Sequence, residues 1–211
     1  MFGWPAGILG CHKGKMYIYR CSAELTVVTP TASTFHPTGA GIVGEVYNET
    51  NAMAYCYIYD CAANVIAKSS TTGHYSHFGA AVGYSNGTIT IENFVGTLDI
   101  SPDNVLPYSG ALGGGSYCGG LKNVYVDGKQ GAANAASKLN MGMWMLSSTQ
   151  VNTNEVKVGS SWHARYTGGW VEAQTKHGSR AALLAAAKAA VGAASKLPAA
   201  IWNAENVDKT D

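Results

Sequence analysis

The chain has 211 residues, enough for one domain with a buried core. Its formal net charge of +1, with only 13% charged residues, gives no electrostatic footprint for nucleic acid or an anionic membrane surface. Five cysteines, an odd number with no Cys-x-x-Cys pair, argue against a zinc site and a complete disulfide framework and point to reduced thiols. The start, Met1-Phe2-Gly3-Trp4-Pro5, lacks the basic and long apolar regions of a signal peptide, and no run reaches the roughly 20 apolar residues of a membrane helix, so the expected location is cytoplasmic.

Apolar residues at 46% and 26 glycines describe a loop-rich, β-leaning protein. The expected organisation is one α+β domain over 1–202, an antiparallel sheet with a central helix packed on it and a C-terminal Ala-rich helix, followed by a polar tail over 203–211. No internal repeat is read.

In chain order, Lys15 to Arg20 predicts a short strand and Ala23 to Val28 a second, stopped by Thr29-Pro30. Residues 29–41 read as a loop, with His36 as an exposed loop histidine. From Asn51 to Lys68, Ala54, Ile58, Cys61, Ala62, Val65 and Ile66 share one face at a period of 3.6, which predicts the central helix. Tyr55, Tyr57 and Tyr59 alternate, so its first half also fits a strand. Residues 77–84 and 88–95 alternate about Asn86-Gly87 and predict a β-hairpin that pairs Val82 with Ile91 and Tyr84 with Ile89.

Residues 96–120 are Gly- and Ser-rich, without a Lys-Ser/Thr or GxGxxG phosphate signature, and read as a connection around Cys118. Asn123 to Val126 predicts a strand closed by Asp127-Gly128. Ala132 to Leu139 fits a short helix, and Met141 to Leu146, Val156 to Val158 and Ser161 to Tyr166 fit strands. Ser179 is a candidate N-cap for a helix over Arg180 to Lys196. Its narrow apolar stripe suits packing across a sheet or against another chain.

The candidate chemistry is that of a thiol. A cysteine becomes nucleophilic when a helix N-terminus and an imidazole favour its thiolate. Cys61 would have the first if a helix begins near Asp60, and His77, sixteen residues on, would supply the second. Cys56 competes with Cys61, and His74 with His77. Glu92 and Asn93 are candidate orienting groups, although in a regular hairpin Glu92 sits opposite Ala81, about 13 Å along the strand from His77, and Asn93 points to the other face. A backbone carbonyl or His163 could take that place. The bland alternative is that Cys61 is a core residue, since free cysteine is among the most buried types.

Asp60-Cys61-Ala62-Ala63-Asn64-Val65 followed by His77-Phe78-Gly79-Ala80-Ala81-Val82 resembles the core of NlpC-type and other papain-like cysteine hydrolases, and more closely a bacterial effector or polymorphic-toxin domain of that type. Thr90-Ile91-Glu92-Asn93-Phe94, Trp144-Met145-Leu146 and Ser161-Trp162-His163 extend the likeness. The sixteen-residue gap is shorter than that family's, and Ala62-Ala63 stands where Ser-Gly is usual. The resemblance implies Cys61 as nucleophile, His77 as base and Glu92 or Asn93 as third member. It further implies a protein or peptide substrate, cleavage of an amide bond, no cofactor or metal, and delivery by a specialised secretion route.

The rival reading is a non-enzymatic β-rich structural or assembly subunit of virion or filament type. Low charge, many Gly, Ser, Thr and Asn residues, the tyrosines and the Ala-rich helix suit repeated subunit contacts, and that helix is a candidate homo-oligomer contact. A carbohydrate-binding β-domain using Trp4, Trp162 and Trp170 is a third reading.

Overall fold

A computed structural model describes residues 4–29, 38–47, 54–69, 77–85, 87–101, 112–113, 117–130 and 180–194. Among these residues ten strands precede one helix: β1 (Leu9–His12), β2 (Lys15–Tyr19), β3 (Ser22–Thr29), β4 (Thr38–Ala40), β5 (Val43–Val46), β6 (Tyr55–Ser69), β7 (His77–Gly79), β8 (Val82–Ser85), β9 (Thr88–Ser101), β10 (Tyr117–Gln130) and α1 (Arg180–Ala194).

Among the described residues every strand pairing is parallel. One sheet runs β1-β5-β8. A second runs β10-β9-β6-β2, with β3 also on β6, and a third pairs β4 with β7. Partners lie between 29 residues apart (Thr88 and Tyr117) and 40 apart (Lys15 and Tyr55). The chain therefore makes successive rungs, each stacked in register on the last, as in a β-solenoid.

Stacking turns strand alternation into columns. Ile18, Ile58, Ile91 and Leu121 lie above one another, as do Cys21, Cys61, Phe94 and Val124. These inward positions form one contiguous core, with Ile58, Cys61, Ile89, Ile91 and Phe94 fully enclosed. A side chain buried this way contributes about 1.5–3 kcal/mol relative to exposure, so each column draws its stability from the rungs on both sides.

Each long strand of the second sheet turns a corner at one residue. Arg20, Asp60, Asn93 and Asn123 have φ of 55°, 54°, 55° and 48°, the left-handed region that Asn and Asp tolerate best among residues with a Cβ. The four lie in register, and the side chains of Asp60, Asn93 and Asn123 link their rungs. Asn93 Nδ2 donates to Asp60 Oδ1 at 2.8 Å, and Asn123 Nδ2 donates to Asn93 Oδ1 at 3.0 Å. In the first sheet the approach of rungs leaves no room for a side chain: a Cβ on Gly44 would lie 2.5 Å from the Gly10 carbonyl oxygen.

These facts correct the expected architecture. The sheets are parallel, and residues 55–69 are strand β6 rather than a central helix. The corner explains the misleading period. A left-handed residue at Asp60 shifts the alternation by one, so Cys56 and Ile58 before it and Cys61, Ala63 and Val65 after it all face inward. Their spacing imitates a helical face. The hairpin is corrected too. The chain does turn after Ser85, whose hydroxyl donates to the Gly87 carbonyl and accepts from the Gly87 N–H. It then runs from the first sheet to the second, so β8 pairs with β5, and β9 with β6 and β10. Asp127-Gly128 does not close a strand, because β10 continues to Gln130.

Strands β2 and β3 and helix α1 stand where alternation and the Ser179 signal place them. Leu184 and Ala187 of α1 are buried against Ala62 and Val95 on the outer face of the second sheet. His36, His74, His163, Trp162, Trp170, the segments 131–179 and the 203–211 tail lie outside the described residues. Among the described residues, no helix is long and apolar enough to cross a membrane.

Candidate functional site

The strands bring the anticipated site residues into the solenoid wall, each with a different environment. Cys61 follows the Asp60 corner and points inward, fully buried. Its sulfur accepts from the Cys21 N–H at 3.4 Å, and its thiol donates to the Tyr59 carbonyl at 3.2 Å, with a longer contact of 3.9 Å to the Ile18 carbonyl. Burial pushes this thiol up to about 12. The Cys21 N–H pulls the other way, and neighbouring Cys21 and Asp60 add to the rise. Because Cys61 lies in a strand, no helix N-terminus is there to favour a thiolate or to donate amides to an oxyanion. Cys56, two columns over, is pushed up to about 12 by burial.

His77 opens β7 in the third sheet, in register with Thr38. Its successor Phe78 fills the core, and His77 itself is buried. Its ring lies 4.8 Å from that of Tyr84, tilted by 58°. The nucleophile and base inferred from sequence thus stand in different sheets, Cys61 in β6 and His77 in β7.

Glu92 and Asn93 are wall residues too. Glu92 stacks between Tyr59 and Lys122 and forms an ion pair of 2.9 Å with the Lys122 ammonium. This half-exposed pair contributes at most about 1 kcal/mol. Asn93 is the middle of the corner ladder, with its amide engaged on both sides. Neither is opposite Ala81, the partner that the hairpin register gave Glu92.

Two features lie outside that sequence reading. The first is the corner ladder itself. The second is a tyrosine face on the outside of β2 and β6. Tyr17 stacks on Tyr57 at 4.7 Å and Tyr19 on Tyr59 at 5.2 Å, with interplanar angles of 13° and 18°. Tyr55 extends the row at 6.5 Å from Tyr57. The Lys15 ammonium stands 5.3 Å from the Tyr17 ring and 5.6 Å from that of Tyr57, within cation–π reach. Side-chain contact with Tyr17 holds its pKa above the ordinary lysine value. Both features were visible in Tyr17-Ile18-Tyr19-Arg20-Cys21-Ser22-Ala23 against Tyr57-Ile58-Tyr59-Asp60-Cys61-Ala62-Ala63. A second repeat, Ala6-Gly7-Ile8-Leu9-Gly10 against Ala40-Gly41-Ile42-Val43-Gly44, accompanies it.

Among the described residues, no group of three or more His, Cys, Asp or Glu side chains could hold a metal ion. Comparison with protein-family models, with curated proteins and with solved structures finds no match.

Proposed function

We propose that this chain is a non-enzymatic structural subunit, a β-solenoid whose outer wall serves contact with other protein surfaces. One observation carries the reading: the same strands hold a sealed apolar column inside and stacked tyrosine rows outside. Tyrosine supplies large contact area with little side-chain freedom to lose, which suits a recognition surface. A solenoid wall keeps such rows at fixed spacing because each rung is the template for the next.

The cysteine-hydrolase reading has less behind it. Each of its four residues has an evident structural role: Cys61 in a core column, Asn93 in the corner ladder, Glu92 in an ion pair and His77 against Tyr84. A thiol pushed up to about 12 supplies very little thiolate near neutrality.

Native-state alkylation with iodoacetamide, mapped by mass spectrometry from about pH 6 to about pH 9, separates the two readings. The structural reading expects Cys56 and Cys61 to stay unmodified until the chain unfolds, while exposed Cys11 reacts. Rapid modification of Cys61 near neutral pH that is lost in His77→Ala would overturn it.

A further inference from the structure

On the tyrosine face, the pairs that span the first and second rungs are closer than those along one strand. Tyr17 and Tyr57 lie 4.7 Å apart between ring centres, and Tyr19 and Tyr59 lie 5.2 Å apart. Both pairs are near-parallel and occupy matched register positions of β2 and β6. Along the strands the separations are 6.1 Å for Tyr17 and Tyr19, 6.5 Å for Tyr55 and Tyr57, and 6.2 Å for Tyr57 and Tyr59. Both columns change character at the third rung, where Thr90 is in register with Tyr57 and Glu92 with Tyr59. The close phenol pairs therefore join the first rung to the second.

Phenols held in this way are arranged for radical coupling. Loss of one electron and one proton from each of two tyrosines leaves two neutral phenoxyl radicals. Their unpaired density lies partly on the ring carbons beside the hydroxyl. Two such carbons join in one carbon–carbon bond, and the hydrogens on them move to the oxygens, restoring both phenols as a dityrosine. One hydrogen peroxide, acting through a peroxidase, takes up the two electrons and two protons and leaves as two waters. Coupling needs the two rings side by side, and the stacked rungs supply that proximity in advance. We infer that Tyr17–Tyr57 and Tyr19–Tyr59 form a site of oxidative cross-linking, at which a one-electron oxidant of the peroxidase class fastens the first rung covalently to the second.

The surroundings of the pairs fit this chemistry. Parallel strands in register present like edges of the two rings to each other. The Lys15 ammonium, 5.3 Å from the Tyr17 ring and 5.6 Å from that of Tyr57, bridges the first pair. A cation there disfavours a positively charged ring, so the electron leaves together with the phenol proton and the neutral radical results. Each ring of the row lies within 6.5 Å of a neighbour, so an electron lost from one is replaced from the next. Oxidation therefore need not begin at the pair that couples. No partner surface is required, so this chemistry stands whether or not the wall contacts other proteins.

Treatment of the full, folded chain with peroxidase and hydrogen peroxide tests this, at low concentration so that coupling stays within one molecule. The exposed Cys11 thiol is first capped with iodoacetamide, which stops it from returning electrons to the radicals. The expected product has lost two hydrogen atoms for each linkage. Trypsin then yields residues 16–20 joined to residues 21–68, with fragmentation placing the bonds at Tyr17–Tyr57 and Tyr19–Tyr59. Tyr57→Phe keeps the stacked ring without its phenol, and is expected to lose the first linkage and keep the second. Tyr59→Phe does the reverse. The cross-linked chain is expected to unfold at higher urea than the untreated chain, because each bond closes a loop in the unfolded state.

The same oxidant acting on the chain unfolded in urea is expected to spread linkages over the twelve tyrosines. If a phenylalanine variant does not fold, the folded wild-type map set against this unfolded map decides. A folded chain with no bond between these two peptides, or with the same linkages as the unfolded chain, overturns the inference. An unchanged urea midpoint in the cross-linked chain overturns the fastening. With Cys61 inert, those outcomes leave the structural reading standing. A reactive Cys61 removes the structural reading whatever the tyrosines do.

Discussion

The first and second rungs carry nearly one sequence in two environments. Tyr17 to Ala23 and Tyr57 to Ala63 agree at five of seven positions. In the second rung Ile58 and Cys61 are sealed between neighbours above and below, and Tyr57 and Tyr59 are half-covered. In the first, Tyr17 and Tyr19 are 48% and 54% exposed, and Cys21 is only partly buried. The difference teaches that burial in this fold is a property of place in the stack. A motif becomes core only when a rung lies on each side, so the same substitution should have a different effect in each copy.

The glycine columns offer the largest contrast. Gly10 and Gly44 occupy matching places in the two Ala-Gly-Ile-x-Gly segments. A Cβ at Gly44 would lie 2.5 Å from the Gly10 carbonyl oxygen and 2.8 Å from that of Trp4, backbone atoms that cannot yield without parting the rungs. At Gly10 the nearest atom would be 3.2 Å away. Gly44→Ala is expected to destabilise by about 2–3 kcal/mol and Gly10→Ala by under about 1, read from urea midpoints. Equal effects would break the comparison.

The corners come next. Asn93→Ala loses hydrogen bonds to two rungs and puts a Cβ residue without local polar support at φ 55°, an expected loss of about 2 kcal/mol. Arg20 holds the same conformation in the first rung, so Arg20→Asn should stabilise by about 0.5–1 kcal/mol. The opposite signs, in the same denaturation assay, sharpen the distinction between a laddered corner and a terminal one.

The smallest expected effect concerns Glu45, in register with Cys11 on one rung and Tyr84 on the next. Burial raises its carboxyl above the ordinary value of 4.5, while a hydrogen bond from Trp4 pulls it down. The folded state therefore holds the proton more tightly than the unfolded chain. This group favours folding below pH 4.5, and that contribution falls as pH rises through its shifted value. Glu45→Gln should melt higher than the wild type at neutral pH and flatten that slope. A lower melting temperature at neutral pH would contradict the burial argument.

Much of the local structure was legible in the sequence. Alternation placed β2 and β3, and Ala-rich periodicity with Ser179 placed α1. The turn signal before Thr88 fell where the chain passes from the first sheet to the second. The partners were not legible from local signals, because a turn signal does not say whether the chain returns beside itself or crosses to another face. The Asp60 corner hid β6 by shifting its parity, and the expected Cys61 helix went with it. The information that would have repaired both errors was the repeated Tyr-Ile-Tyr-x-Cys-x-Ala, read as a stacking unit rather than as two unrelated strands. Cys61 and Asn93 were singled out for thiol chemistry and hold a core position and a corner.

The stacking itself is the central claim, and interstrand amide-to-α-proton NOEs in the labelled protein test it most directly. The columns predict backbone contacts from the Ile58 region to the Ile18 region on one side and to the Ile91 region on the other, with Ile91 in turn beside Leu121. Backbone contacts pairing Val82 with Ile91 and Tyr84 with Ile89, the pattern of an antiparallel hairpin, would contradict it.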